Sequence, residues 1–304
     1  MPLHLTGLIS APFTPMTSSG DVDLGKIPAV VDHLVNAGLA GIFVCGSTGE
    51  GSSLTSAERM AVNRAYIAAA RGRITVITHV GHTSIKESQA LAADAQSAGA
   101  AAIGSLAPFY FKPPDVDTLV DGCRDVAAAA PKLPFFYYQI PSLTGVALKA
   151  SEFLARGAER IPTLAGVKFT HEDLMDYLEC LRMHDGRFQA LFGRDEMLLA
   201  ALATGATGAV GSTYNFIAPL FHNVIAAFKA GDLGAARAAQ HQANRIIQCF
   251  IRAGGLPAAK AMMKMIGVDC GPMRLPMKAL GDAQLKQLES ELRAAGFFDI
   301  QPRR

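Results

Sequence analysis

The sequence predicts an α/β fold: a closed barrel of eight parallel strands alternating with helices, the (β/α)8 or TIM barrel, with additional C-terminal helices. Three observations predict it. Eight short β-rich runs recur at intervals of about 20–35 residues along the chain. The runs are continuously apolar rather than alternating, the pattern of parallel strands covered on both faces. Each is followed by a stretch carrying helical signals, and a barrel of such units typically takes ~250 residues. A doubly wound open sheet is the alternative, and eight units with a helical tail fit it less well.

In chain order the strand runs are Leu5–Phe13, Gly41–Cys45, Ile74–Val80, Ala101–Leu106, Phe135–Ile140, Leu164–Phe169, Phe188–Phe192 and Gly208–Ser212. Thr55-Ser56-Ala57-Glu58 is a capping box ahead of MAVNRAYIAAA; the hydroxyl and the acid satisfy each other's backbone N–H. Ser84 opens a helix through IKESQALAADAQSAG that closes at Gly99, a residue suited to a left-handed cap. Ser151 and Asp195 are read as comparable starts. Past residue 230 no strand pattern remains. AARAAQHQANRIIQCFIRAG, PAAKAMMKMIG and DAQLKQLESELRAAG read as three added helices. The expected division is a barrel carrying the active site over 1–230 and a helical extension packed on it over 231–304. No Pro/Ser-rich linker separates them.

Composition narrows the function classes. Hydrophobic residues make up 50% of the 304 and charged residues 18%, which excludes a disordered chain. The net charge of +2 gives no electrostatic footprint for nucleic acid. No apolar run of about 18 residues is present to span a membrane. The opening MPLHLTGLISAPFTP lacks the basic and long apolar regions of a secretory signal. Five scattered cysteines, 45, 123, 180, 249 and 270, form no CxxC pair. They are read as reduced thiols of a cytoplasmic protein. The apolar excess points to buried subunit contacts.

In such barrels chemistry sits at the C-terminal ends of the strands, and that rule selects residues. After strand 2 comes Gly46-Ser47-Thr48-Gly49-Glu50-Gly51. No Lys follows it, so it is neither a Walker loop nor a dinucleotide fingerprint. Its hydroxyls and backbone N–H groups suit a small carboxylate; an ordinary turn is the bland alternative. Strand 6 ends in Val167-Lys168-Phe169-Thr170. Either the Lys168 stem carries its amine outward to solvent or a carboxylate, or a desolvated amine has its pKa pulled down and can attack a carbonyl to form a Schiff base. Strand 5 ends Tyr137-Tyr138-Gln139-Ile140-Pro141, and alternation turns only one tyrosine into the barrel. A phenol there could relay protons; plain aromatic packing is the alternative, as it is for Tyr110 after strand 4. Strand 7 ends Gly193-Arg194-Asp195-Glu196, two acids that are either dipole complements or acceptors for polyol hydroxyls. Strand 8 ends in a hydroxyl-rich rim, Ser212-Thr213-Tyr214-Asn215. His79 and His82 flank strand 3 without a matching acid cluster, so no metal is expected.

Together these motifs resemble the class I aldolase family of dihydrodipicolinate synthase and N-acetylneuraminate lyase. The resemblance runs from APFTP at 11–15 to RLPM at 274–277, and rests on GSTGE at 46–50, YxIP at 138–141 and GVKFT at 166–170. It implies that Lys168 forms a Schiff base with the C2 carbonyl of pyruvate and that Tyr138 shuttles protons. It implies that Ser47 links Tyr138 to a second tyrosine from a neighbouring subunit, a position Tyr110 matches, and that Ser47 and Thr48 hold the pyruvate carboxylate. Synthase members carry an arginine five residues after the catalytic tyrosine; Leu143 stands here, which removes a bidentate carboxylate clamp. GRDEM at 193–197 and GATGAVGSTYN at 205–215 look like the lyase branch. There Asp195 and Glu196 bind sugar hydroxyls, with Thr170, Gly193 and Ser212 alongside. Gln139 and Arg194 depart from the branch pattern and could shift preference to another acidic sugar. The implied activity is reversible cleavage of a sialic acid to pyruvate and an amino sugar, in a homotetramer, with no cofactor. Another 2-keto-3-deoxy acid aldolase or dehydratase, a synthase-like enzyme and a non-catalytic keto-acid-binding homologue are the alternatives.

Overall fold

A computed structural model describes residues 3–300 of the chain. Residues 1, 2 and 301–304 of the two expected segments lie outside it. The eight strands are β1 Gly7–Ser10, β2 Gly41–Val44, β3 Thr75–His79, β4 Ala102–Leu106, β5 Phe135–Gln139, β6 Leu164–Phe169, β7 Gln189–Phe192 and β8 Gly208–Gly211. They pair in sequence order, all parallel, and β8 pairs with β1 to close the barrel. The predicted fold is the observed one. Each apolar run contains its strand, trimmed at the ends where the chain leaves the ladder.

The helices between strands are α1 Ile27–Asn36, α2 Ser56–Ala70, α3 Ile85–Ala98, α4 Val116–Ala128, the single turn α5 Pro141–Thr144, α6 Ala150–Arg160, α7 Leu174–Arg182 and α8 Leu198–Thr204. After β8 come α9 Tyr214–Lys229, α10 Leu233–Arg252, α11 Leu256–Met265 and α12 Asp282–Ala294. The α2 capping box forms as read, with Thr55 and Glu58 bonded reciprocally. α3 starts on Ser84 and ends on Gly99 at φ 87°.

Two of the expected helix starts are corrected. Ser151 lies one residue inside α6. The cap is supplied from outside: the Asp176 carboxylate of α7 accepts from the Ala150 and Ser151 N–H groups and from the Ser151 hydroxyl. An acid from a neighbouring helix thus neutralises the positive end of α6. Asp195 opens a helical stretch, the 3-10 turn Asp195–Met197 that runs into α8, but as its first residue and not as its cap. Its carboxylate turns to β8 and accepts from the Thr213 N–H and hydroxyl.

The core has two layers, as period-two strands between a closed interior and a helical shell require. Inside the barrel pack Ile9, Phe43, Ile77, Phe136, Tyr138, Leu191 and Val210. Between strands and helices lies the larger layer, which includes Tyr137, Phe153, Phe169 and Phe192. This settles the tyrosine pair on β5: Tyr138 faces the barrel interior, and Tyr137 turns outward onto Phe153 of α6, with ring centroids 4.4 Å apart.

Candidate active site

A cavity of about 330 Å³ opens at the C-terminal ends of the strands. Ser47, Thr48, Tyr138, Lys168, Thr170, Gly193, Asp195, Glu196 and Ser212 all line it, together with Arg194 and Leu143. Five separate strand ends contribute those residues, which the topology alone brings together. Gln139 is not among them: its amide donates to the Leu148 carbonyl at 3.1 Å, on the outer face of β5. Tyr110 does not reach the cavity of its own barrel and is 76% exposed.

Lys168 is buried, with Nζ 3.9 Å from the centre of the Tyr138 ring and 4.1 Å from that of Phe43. The ring faces attract an ammonium, but removal from water disfavours it more strongly. Burial brings the amine down to about 7, with the Asp195 carboxylate pulling the other way. The stem therefore does not snorkel. Near neutrality much of the amine carries a free lone pair.

Tyr138 reaches Ser47, with the two hydroxyl oxygens 3.3 Å apart. Burial pushes its phenol up to about 12, against the Ser47 and Thr170 hydroxyls. The phenol is thus a resident donor near neutrality. His79 of β3 packs edge-on against the Tyr138 ring at 5.6 Å between centroids. Arg59 grips that segment through the His79 and Gly81 carbonyls at 2.6 and 2.8 Å. Burial and the neighbouring guanidinium hold the imidazole well below its usual value, hence neutral. His82 accepts from the Ser84 N–H instead. Among the described residues no cluster of three or more His, Cys, Asp or Glu could hold a metal ion.

The Ser47–Thr48 loop is anchored by a residue whose role the sequence did not disclose. Glu50 adopts a left-handed backbone at φ 57° and is buried. Its carboxylate accepts from Lys260 Nζ on α11 at 2.8 Å and from the Arg274 N–H at 2.7 Å. Lys260 also donates to the Pro272 carbonyl at 2.8 Å. The Arg274 guanidinium grips Glu58 with contacts of 2.7 and 2.8 Å and bonds the Gly20 and Ser53 carbonyls. The helical extension therefore clamps the β2 loop from behind. An acid in an otherwise apolar loop, with a distant Lys in an apolar helix, was the available signal. Their partnership spans more than two hundred residues and leaves no local trace.

The opposite wall is built from β6, β7 and β8. Gly193 allows the Thr170 hydroxyl to sit against the backbone; an added Cβ would lie 2.1 Å from it. Gly211 does the same for Asp195, whose Oδ1 would be 1.9 Å from a Cβ there. Asp195 is buried and its other oxygen is held by Thr213. Burial brings its carboxyl up to about 6. At the rim Arg194 ion-pairs with Glu172 and approaches Glu196 at 3.5 Å. Glu172 is a second residue that sequence reasoning missed, because it sits in the β6–α7 loop outside any motif. Ile247, Phe250 and Leu256, from α10 and α11, supply an apolar side wall.

The arrangement offers a nucleophilic amine, a phenol joined to a serine, hydroxyl donors for a carboxylate and paired acids at the far end. Comparison with known proteins gives the family. A model of the "dihydrodipicolinate synthetase family" matches residues 4–295. The chain is 42% identical to N-acetylneuraminate lyase of Mus musculus, covering 97% of this chain and 93% of that one. It superposes on N-acetylneuraminate lyase (sialic acid aldolase) of Aliivibrio salmonicida with a TM-score of 0.94 at 40% identity, covering 98% of each chain. The Proteus mirabilis N-acetylneuraminate lyase gives a TM-score of 0.94 at 36% identity, covering 96% of this chain and 99% of that one. The family model spans nearly the whole chain and the barrel matches the solved structures, so the chain belongs to the dihydrodipicolinate synthetase family.

Proposed function

We propose that this protein is a Schiff-base aldolase that cleaves N-acetylneuraminate reversibly to pyruvate and N-acetylmannosamine. The observation that carries it is the buried Lys168 amine, near 7, set over the Tyr138 ring at the mouth of the barrel. Lysine is almost never fully buried without a partner. A desolvated one facing a cavity is a nucleophile for carbonyls. The similarity to sialic acid lyases over nearly the whole chain supports the choice of sugar.

The steps follow from the groups present. The neutral amine of Lys168 adds to the C2 ketone of the open-chain sugar acid; a proton passed from solvent through the Tyr138 phenol lets the C2 hydroxyl leave as water, and a protonated imine remains. That imine accepts the C3–C4 bonding pair as the bond breaks. The C4 hydroxyl proton passes to the Tyr138 oxygen, while the phenol hands its own proton on towards the substrate carboxylate. The aldehyde departs, the enamine takes a proton at C3, and water releases pyruvate and the amine. Ser47 and Thr48 hold the substrate carboxylate; Asp195, Glu196, Thr170, Gly193 and Ser212 face the polyol. Leu143, 65% exposed at the rim, can form no ion pair with a second carboxylate.

The assembly we propose is a homotetramer in the cytoplasm. Tyr110 and Phe111 are 76% and 85% exposed and form one edge-to-face pair at 5.0 Å. Exposed aromatic pairs of this kind mark contact surfaces, and Tyr110 would then complete a neighbour's proton relay. All five cysteines are buried free thiols, which suits a reducing compartment.

The test is borohydride reduction with pyruvate, followed by assay of pyruvate release from N-acetylneuraminate. A three-carbon adduct at Lys168 and ready release are expected. Adduct without release from any sialic acid would move the assignment to another 2-keto-3-deoxy acid. No adduct at Lys168 would overturn the Schiff-base reading.

A further inference from the structure

We infer that Glu172, which lies outside the cavity lining, is a positioning residue for specificity: by holding Arg194 it keeps that cation from receiving a second anionic group at the far end of the substrate. The inference rests on the aldolase reading above and extends it to the aldehyde partner. Arg194 by itself would offer a cation to an anionic substrate tail. The structure points the other way. The guanidinium is already engaged by Glu172 and lies 3.5 Å from Glu196. The His171 Nδ1 accepts from the Asp173 N–H at 3.0 Å. The Glu172 carboxylate lies 3.7 Å from that nitrogen. Arg194 thus stands between two carboxylates, Glu196 in the cavity lining and Glu172 just outside it, with the Asp195 carboxyl also in the lining.

The electrostatic consequence is direct. A second anionic group entering the rim meets excess negative charge and must first prise Arg194 from Glu172. A hydroxyl both donates and accepts, so it can bond Glu196 and the guanidinium without disturbing the pair. Specificity of this kind is a difference of affinities obtained partly by repulsion. The rim is only half-buried, so its repulsion is screened by salt, unlike contacts deeper in the cavity.

The test runs condensation with pyruvate on two matched acceptors, D-mannose and its uronic acid, D-mannuronate. In the native enzyme kcat/KM should favour the neutral sugar by about tenfold or more at low ionic strength, and the ratio should shrink as salt rises. Glu172→Gln removes one repelling charge and frees Arg194, so the ratio should narrow by about tenfold, with trapping of pyruvate at Lys168 retained. Arg194→Gln should widen it. Equal use of both sugars by the native enzyme, or a ratio unmoved by Glu172→Gln, would overturn the inference. Pyruvate trapped at Lys168 but condensed with neither sugar would instead refute the aldolase reading, a separate failure.

Discussion

The two walls of the cavity are held by different physics. The wall that we assign to the keto acid consists of Ser47, Thr48, Tyr138 and Lys168, packed against Phe43 and His79 inside the barrel. Its reactive groups are perturbed by burial, and its loop is locked from behind by a fully buried ion pair. The wall that we assign to the sugar consists of Gly193, Arg194, Asp195, Glu196 and Ser212; Asp195 is buried, but the Arg194 and Glu196 charges at its rim meet solvent. Deep burial sets reactivity and tolerates little change. A half-exposed rim sets preference and can be retuned at modest cost to stability. Chemistry and specificity can therefore change separately in this fold.

The largest effect that could break this contrast is at Lys168. Lys168→Met should abolish borohydride trapping and pyruvate release altogether. It should also change stability with a defined sign. The folded-state value is about 7 against 10.5 for a free lysine. Between those values the unfolded chain binds a proton that the native state does not, so native stability rises with pH across that window. The gap corresponds to ~5 kcal/mol at most. The variant should lose that slope and be the more stable protein near neutrality. Denaturant titrations at several pH values would show it, and parallel slopes in both proteins would mean the amine is not desolvated.

The buried clamp comes next. Lys260→Met leaves Glu50 without its cation in a water-free position, a loss of about 3–5 kcal/mol. Chemical denaturation should register it, and KM for pyruvate should rise because the Ser47–Thr48 loop loses its anchor. Glu50→Gln combined with Lys260→Met should restore much of the stability, since removing both charges removes the penalty. Additive losses in the double variant would show that the two side chains act independently.

How much of this was legible depends on the range of the interactions. Strands, helices and closure follow from local apolar runs and caps such as Thr55–Glu58, and those emerge as read. Lys168, Tyr138 and the Ser47 loop stand out because each violates its own surroundings: a charge ending an apolar strand, a phenol at a strand tip, hydroxyls among glycines. Glu50–Lys260, Arg59–His79 and Glu172–Arg194 do not, because each is a pair and its meaning lies in the partner. The false start at Ser151 has the same origin: the cap exists, but Asp176 supplies it across space.

On the sugar wall the expected effect is smaller and selective. Asp195→Asn should lower kcat/KM for sialic acid by roughly 10- to 150-fold, the range for one hydrogen bond to a charged group at about 1.5–3 kcal/mol. Pyruvate trapping should stay nearly intact. The pH profile sharpens the point. Turnover needs Lys168 neutral, so it rises with pH up to about 7, and it needs Asp195 ionised, so it rises up to about 6. Below 6 the native enzyme should lose activity with a slope of two, and Asp195→Asn with a slope of one. Equal loss of trapping and cleavage would mean that Asp195 serves only to tie β7 to Thr213.

The smallest effect, and the one that reaches beyond the single barrel, concerns Tyr110. Its phenol does not line its own cavity, and its ring packs edge-on against Phe111. If a second copy covers this aromatic pair, Tyr110 enters the neighbour's site beside Ser47 and extends the relay from Tyr138. The relay retains Tyr138 and Ser47 without it, so Tyr110→Phe should lower kcat by only a few-fold to about a hundredfold, within the lower reach of proton-transfer catalysis. KM should barely move, because the ring still fills the interface. Mixing Tyr110→Phe with Lys168→Met separates this from a local effect. Each protein is impaired alone, one lacking the phenol and the other the nucleophile. A mixed assembly pairs intact Lys168 with an intact Tyr110 from the partner chain and should regain activity above that of the Tyr110→Phe protein alone. Activity that never exceeds the sum of the separate proteins, under conditions where subunits demonstrably exchange, would place the phenol outside the relay.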